Sequence, residues 1–203
     1  MPLSYLALGD SYSIGEGVEP AERWPVQLAT RLRNEGLSLD EPRILATTGW
    51  TTDELTAAMD AATFGPPYDL VSLLIGVNDQ YRGRPANDYR PAFQHLLRRA
   101  VALAGGHPAR ALVLSIPDWG VTPFARAQGR DPARIATELD AFNAIARDEA
   151  RQAGAAWIDV TGLSRQHPDE LVADGLHPDG SQYSRWAEAT LAAARQALQA
   201  RSP

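Results

Sequence analysis

Short apolar runs alternate with amphipathic stretches along the whole of this 203-residue chain. Such alternation favours a parallel sheet that is covered by helices on both faces. We therefore predict an α/β fold for residues 1–203, a single-domain three-layer α/β/α sandwich of the flavodoxin-like type with strand order 2-1-3-4-5. The five predicted strands of this parallel sheet are Tyr5 to Leu8, Arg43 to Thr47, Leu70 to Ile75, Ala111 to Ile116 and Ala155 to Val160.

Helix signals fill most of the segments between these strands. Pro25 suits the first turn of a helix that runs from about Trp24 to Asn34. Thr51 and Glu54 have the spacing of a capping box, which predicts a further helix start. The remaining predicted helices run from Asp88 to the Gly105-Gly106 pair, from Pro132 to Gln152, and through Tyr183, Trp186, Leu191 and Leu198. The segments Pro117 to Asp131 and Thr161 to Pro178 are predicted to be long loops.

Composition excludes several function classes. The chain has no cysteine, which rules out disulfides, thiolate metal sites and a cysteine nucleophile. The formal charge of -6, with all 19 basic residues being arginine, argues against a nucleic-acid or anionic-membrane partner. No apolar run is long enough to span a bilayer and no signal peptide is visible, so we expect a cytoplasmic protein. With few histidines we expect no metal and no cofactor, and the oligomeric state stays open.

Three groups that acyl transfer requires follow the first three predicted strands. Ser11 follows the first, Gly49 the second and Asn78 the third. In the order 2-1-3-4-5 these strands are neighbours, so their carboxyl ends can bring the three groups to one cavity. A hydroxyl nucleophile beside backbone and amide donors is the set needed to attack a carbonyl and hold an oxyanion. Taken singly, each of the three residues is better explained as an ordinary turn or cap residue.

Asp174 and His177 form a further pair near the carboxyl end of the chain. An acid three residues before a histidine on a turn can fix the imidazole tautomer and stabilise its protonated form. Of the four histidines, which also include His95, His107 and His167, only His177 is predicted to have an acidic partner placed in this way. We read Asp10 and Asp79, which flank the other candidates, as structural hydrogen-bonding residues.

Together these segments resemble the four sequence blocks of the SGNH, or GDSL-type, hydrolases. The blocks here are Gly9-Asp10-Ser11, Gly49, Gly76-Val77-Asn78-Asp79 and Asp174-Gly175-Leu176-His177-Pro178, in the family's order. The resemblance implies the SGNH hydrolase fold, with Ser11 as nucleophile, His177 as general base and Asp174 as the orienting acid. It also implies an oxyanion hole made of the Ser11 and Gly49 N–H groups and the Asn78 amide. Tyr12 stands where many relatives have leucine.

The implied activity is hydrolysis of a small-molecule carboxylic ester, with a short acyl or acetyl group, by a serine esterase. Acyltransferase, thioesterase and lysophospholipase activities would use the same triad, and a non-catalytic flavodoxin-like nucleotide binder is the remaining alternative. The residues Ser11 to Gly17 are small and glycine-containing but lack the lysine of a phosphate-binding loop. Candidate substrate-binding residues near the catalytic edge are Trp50, Tyr81, Trp119 and Phe124, although each could instead cover the core.

Overall fold

A five-stranded parallel sheet forms the middle of the molecule. The computed structural model describes residues 1–199. The strand order β2-β1-β3-β4-β5 confirms the predicted doubly wound topology. The strands are β1 (Tyr5–Gly9), β2 (Arg43–Ala46), β3 (Leu70–Leu74), β4 (Ala111–Leu114) and β5 (Ala156–Ile158).

Helices cover both faces of this sheet and complete the three layers. The helices are α1 (Ser11–Ile14), α2 (Trp24–Asn34), α3 (Thr52–Ala61), α4 (Val77–Tyr81), α5 (Ala86–Leu103), α6 (Pro123–Ala127), α7 (Pro132–Ala153), α8 (Thr161–Gln166) and α9 (Gly180–Gln199). Helices α2 and α9 pack against each other, and α5 packs against both α3 and α7. Within residues 1–199, no helix is long and apolar enough to cross a membrane.

The three strands that precede the candidate catalytic residues end at the same level. Gly9, the last residue of β1, is paired with Ala46 on one side and with Leu74 on the other. All five residues of β1 and of β3 are buried, as expected for central strands that are covered on both faces. The sheet therefore delivers the segments that follow β1, β2 and β3 to one edge.

Sequence patterns predicted the long elements better than the short ones. The bounds of α2 agree with the prediction, and α3 begins with the predicted capping box between Thr51 and Glu54. Every strand except β1 ends earlier than predicted, and α5 begins two residues before Asp88. The two segments predicted to be loops are partly helical, because they contain α6, α8 and a 3-10 turn at Trp119–Val121.

Candidate active site

Ser11 is the first residue of α1, directly beyond the end of β1. Asp10 caps this short helix, because its carboxylate accepts a hydrogen bond from the Tyr12 N–H at 3.0 Å. The N–H of the first residue of a helix has no partner within the helix, so the Ser11 N–H is available to a ligand. Ser11 is only 5% exposed, so its hydroxyl lies in a largely desolvated place.

Gly49 lies in a tight turn between β2 and α3. The turn is closed by a hydrogen bond from the Trp50 N–H to the Thr47 carbonyl, at 3.3 Å. Gly49 has a φ of +87°, which suits the third position of a type II turn and which residues with a side chain rarely adopt. Thr48 is held through its hydroxyl, which donates a short hydrogen bond to the Glu16 carboxylate.

Asn78 lies in the first turn of α4, immediately after β3. Its Nδ2 donates to the main-chain carbonyl of Trp50 at 2.9 Å. A side-chain amide carries two N–H donors, so this bond leaves one donor for a substrate oxygen. The neighbouring Asp79 is buried and accepts from the Thr52 N–H and hydroxyl at 3.0 and 2.8 Å, which ties α4 to α3.

Asp174 and His177 form a compact pair on the segment that leads into α9. Asp174 Oδ2 lies 2.6 Å from His177 Nδ1, while Oδ1 accepts from the N–H groups of Leu176 and His177 at 2.8 and 3.0 Å. Partial burial raises the pKa of Asp174, but these hydrogen bonds outweigh it and hold the pKa below its ordinary value. With Nδ1 bonded to the carboxylate, Nε2 is the ring nitrogen that can accept a proton from a nucleophile.

Four of the five predicted catalytic and oxyanion-hole residues line one cavity of about 180 Å³. Ser11, Gly49, Asn78 and His177 share it, and Asp174 reaches it only through His177. A hydroxyl, an imidazole and hydrogen-bond donors around one small cavity are suited to nucleophilic attack on a carbonyl. The remaining lining residues, which are mostly apolar, are Tyr12, Thr48, Val77, Tyr81, Trp119, Phe124 and Leu176.

The sequence also matches a family model that covers most of the chain. The match, to the GDSL-like lipase/acylhydrolase family, spans residues 7–185. The chain belongs to the GDSL-like lipase/acylhydrolase family. A search of curated proteins found no match to the sequence of this GDSL-like hydrolase.

Solved structures resemble this GDSL-like hydrolase over nearly its whole length. The crystal structure of TesA has a TM-score of 0.75 at 22% identity and covers 96% of this chain and 99% of its own. The psychrotrophic esterase EstA from Pseudoalteromonas sp., inhibited by monoethylphosphonate, has a TM-score of 0.74 at 17% identity, with coverages of 97% and 98%. A lipase/acylhydrolase from Enterococcus faecalis has a TM-score of 0.69 at 16% identity, with coverages of 99% and 100%. At identities this low, the structural similarity shows a shared fold and nothing further.

Three of the four predicted substrate-binding residues line the cavity of the GDSL-like hydrolase. Tyr81, Trp119 and Phe124 do so, and the Trp119 ring makes edge contacts with both of the others. Trp50 differs from the prediction, because it packs against the hydrophobic core and is not among the lining residues. Its contribution is the carbonyl that Asn78 binds.

Several lining residues of the GDSL-like hydrolase were not predicted. These residues are next to predicted site residues in the sequence, and that position was the only sign that they would line the cavity. They are Tyr12, Thr48, Val77 and Leu176. The Tyr12 ring contacts the His177 ring in a tilted arrangement, with 5.8 Å between ring centroids and 59° between the ring planes, so Tyr12 packs directly against the candidate base.

A second histidine has an acidic neighbour in a different arrangement. His167 Nδ1 lies 3.5 Å from the Glu170 carboxylate, which comes three residues after it and not before it, and His167 does not line the cavity. His95 and His107 are exposed. Among residues 1–199, no group of three or more His, Asp or Glu side chains is placed to hold a metal ion.

Asp10 is a buried carboxyl group next to the candidate nucleophile. Burial raises its pKa most, the hydrogen bond from the Tyr12 N–H lowers it, and the nearby Asp79 raises it, to a net value of about 8. Its Oδ2 is buried with no hydrogen-bond partner within the described residues. At neutral pH Asp10 is therefore mainly protonated, and it caps α1 without placing a full negative charge beside Ser11.

Proposed function

We propose that the protein is a serine esterase that hydrolyses carboxylic esters with short acyl groups. The observation that carries the proposal is the single cavity shared by Ser11, Gly49, Asn78 and His177, with His177 paired to Asp174. Family membership supports a hydrolase, and the named esterase among the similar structures makes ester bonds the natural substrate class.

In the proposed reaction, Ser11 Oγ attacks the ester carbonyl carbon and its proton passes to His177 Nε2. The oxygen of the tetrahedral intermediate is held by the Ser11 and Gly49 N–H groups and by Asn78 Nδ2. As the intermediate collapses, His177 returns the proton to the leaving alcohol oxygen, and the acyl group remains on Ser11. Water then attacks the acyl-enzyme with His177 again acting as base, which releases the acid and restores Ser11.

The size of the cavity supports a short acyl group. Its volume of about 180 Å³ lies below the ~300–1,000 Å³ of pockets that enclose drug-sized ligands. Part of its wall is formed by Tyr81, Trp119 and Phe124, and the Trp119 ring contacts both of the other rings, so bulky side chains limit the space for an acyl chain. We therefore propose that acetyl to butyryl esters react faster than long-chain esters.

A p-nitrophenyl ester series from acetate to palmitate tests this function. Wild type should release nitrophenol fastest from the short esters, and Ser11→Ala should lose nearly all turnover while keeping its melting temperature. A serine-directed phosphonate should label Ser11, and Ser13→Ala, which leaves Ser11 in place, should still be labelled. Turnover that survives in Ser11→Ala, or labelling at Ser13, would contradict the proposal.

The alternative activities are outcomes of the same assay with altered substrates. An alcohol acceptor that captured most of the acyl group in place of water would identify an acyltransferase. A strong preference for acyl thioesters or for lysophospholipids would identify a thioesterase or a lysophospholipase. Binding of a nucleotide or flavin without any turnover would identify the non-catalytic alternative.

A further inference from the structure

Helix α4 donates hydrogen bonds to two successive main-chain carbonyls of the turn that contains Gly49. Asn78 Nδ2 donates to the Trp50 carbonyl at 2.9 Å, and Arg82 Nη2 donates to the Gly49 carbonyl at 2.8 Å. Asn78 and Arg82 are four residues apart and are joined by the Arg82 N–H to the Asn78 carbonyl, so their side chains leave the helix on the same side. The helix end thus holds the turn at two adjacent points.

At Gly49 itself no side chain packs against the turn. A Cβ added at Gly49 would meet no atom within 4 Å, so the space where a side chain would lie is open. Glycine has the widest choice of backbone conformations, and a positive φ is only one of them. The direction of the Gly49 N–H therefore depends on hydrogen bonds to the neighbouring peptide groups.

Arg82 is itself held in place by α3. Glu54, three residues into the capping box, lies 3.2 Å from Arg82 Nη2. The same carboxylate oxygen accepts from the Thr51 N–H and hydroxyl, both at 2.9 Å. Arg82 therefore links the start of α3 to the carbonyl of Gly49, and its Nη2 group is occupied by protein atoms.

We propose that Arg82 is a positioning residue that aims the Gly49 N–H at the oxyanion of the transition state. The proposal rests on the esterase function given above, and it deepens that function by assigning a support to the oxyanion hole. Arg82 does not line the cavity, so its effect on the reaction passes through the Gly49 turn and not through contact with substrate.

Arg82→Met tests the proposal, because methionine keeps an aliphatic stem but donates no hydrogen bond. Loss of a complete oxyanion donor costs about 10²–10³ in kcat. Misdirecting one donor should cost less, and we expect kcat to fall about 5- to 50-fold with KM within about 2-fold. Affinity for a boronic acid that forms a tetrahedral adduct on Ser11 should weaken by a similar factor. Arg82→Lys retains a cationic donor and should recover part of the loss.

Arg99→Met is the matched control. Arg99 also joins a main-chain carbonyl and a carboxylate of α3, through Nη1 to the Thr56 carbonyl at 3.3 Å and to Asp60 at 2.6 Å. The melting temperature should fall by a similar amount in the two methionine variants, but kcat and boronate affinity should fall only in Arg82→Met.

Equal kcat values in the two variants would overturn the positioning role. A rise in KM alone would overturn it as well, because it would show that Arg82 binds the ground state of the substrate. Failure of the esterase proposal gives a different result, since wild type would then show no ester turnover or Ser11→Ala would retain it, whatever the Arg82 variants do.

Discussion

At the scale of single residues, the Asp174 carboxylate determines which nitrogen of His177 carries the proton. Asp174→Asn keeps Oδ1, which accepts two backbone N–H groups, but places an amide N–H against Nδ1. The imidazole must then accept at Nδ1 and carry its proton on Nε2, which is the wrong tautomer for a base. We expect kcat to fall about 10⁴-fold while the fold is kept, as the equivalent change does in serine proteases.

Circular dichroism and steady-state kinetics check this outcome together. A full-activity Asp174→Asn variant would show that this carboxylate does not orient the base.

The buried Asp10 carboxyl predicts a pH-dependent stability. Its pKa is about 8 in the folded protein against an ordinary value of 3.8. Because the pKa of Asp10 is higher in the folded than in the unfolded protein, the contribution of Asp10 to the free energy of unfolding is fully present below the unfolded pKa. This contribution is lost as the pH rises towards the folded pKa. Asp10→Asn keeps the acceptor for the Tyr12 N–H and cannot ionise. Its free energy of unfolding relative to wild type should therefore increase from about pH 4 to pH 8 and then level off.

Chemical denaturation at several pH values measures this difference, and Asp53→Asn supplies a control of opposite sign. A hydrogen bond from Arg84 is the largest cause that holds the pKa of Asp53 below its ordinary value. Because the pKa of Asp53 is lower in the folded protein, Asp53 contributes to the free energy of unfolding above its unfolded pKa, and this contribution is lost in acid. The Asp53→Asn variant should thus lose stability relative to wild type as pH rises. A pH-independent difference for Asp10→Asn would contradict the buried, protonated state.

At the scale of secondary-structure elements, Gly9 controls how closely β1 approaches β3. A Cβ at Gly9 would lie 2.5 Å from the Leu74 carbonyl oxygen of β3 and would also overlap the Ser13 side chain. Because the first of these atoms is backbone, the two strands would have to separate. We expect Gly9→Ala to lower the free energy of unfolding by about 1–3 kcal/mol.

The same substitution should reduce kcat, because Ser11 follows the end of β1 and Asn78 follows the end of β3. Gly65→Ala is the control, since an added Cβ there meets nothing within 4 Å. It should change the free energy of unfolding by less than about 0.5 kcal/mol. Thermal unfolding and ester kinetics on both variants test the argument, and a fully stable Gly9→Ala variant would contradict it.

Element length explains which parts of the fold could be predicted from sequence. The strands and the long helices α2, α5, α7 and α9 carry enough apolar residues to define a period. Helices α1, α4, α6 and α8 have four to six residues, which is too short for periodicity to be recognised. Capping chemistry was the remaining signal: Asp10 caps α1, and Thr122 followed by Pro123 begins α6.

The site shows the same limit. Ser11, Gly49 and Asn78 could be placed together because strand order fixes which strand ends are neighbours. The packing of Trp50 against the core and the hydrogen bond from Arg82 to the Gly49 carbonyl could not be predicted, because both depend on how the turn at Gly49 contacts α4.

At the scale of the whole molecule, the candidate site is assembled from both ends of the chain without a metal cluster. The proposed nucleophile lies at position 11 and the proposed base at position 177, and residues 1–199 contain no group of three acidic or histidine side chains that could hold a metal. Attack by Ser11 with His177 as base requires no metal ion. Ester turnover should therefore be unchanged after dialysis against EDTA. Activity that disappears on chelation and returns with an added divalent ion would contradict this mechanism.

The Asp174 carboxylate binds both the His177 imidazole and two amides of its own turn. The turn is joined to its surroundings by the Gly175 carbonyl, which accepts from the Phe124 N–H at 3.0 Å, and by the His177 carbonyl, which accepts from the Val172 N–H at 2.9 Å. The carboxylate and the imidazole are thus fixed to each other by local bonds, whereas their position relative to Ser11 depends on these outer contacts. We therefore expect substitutions in α6 to shift the pair relative to Ser11 while the bond between Asp174 and His177 stays intact.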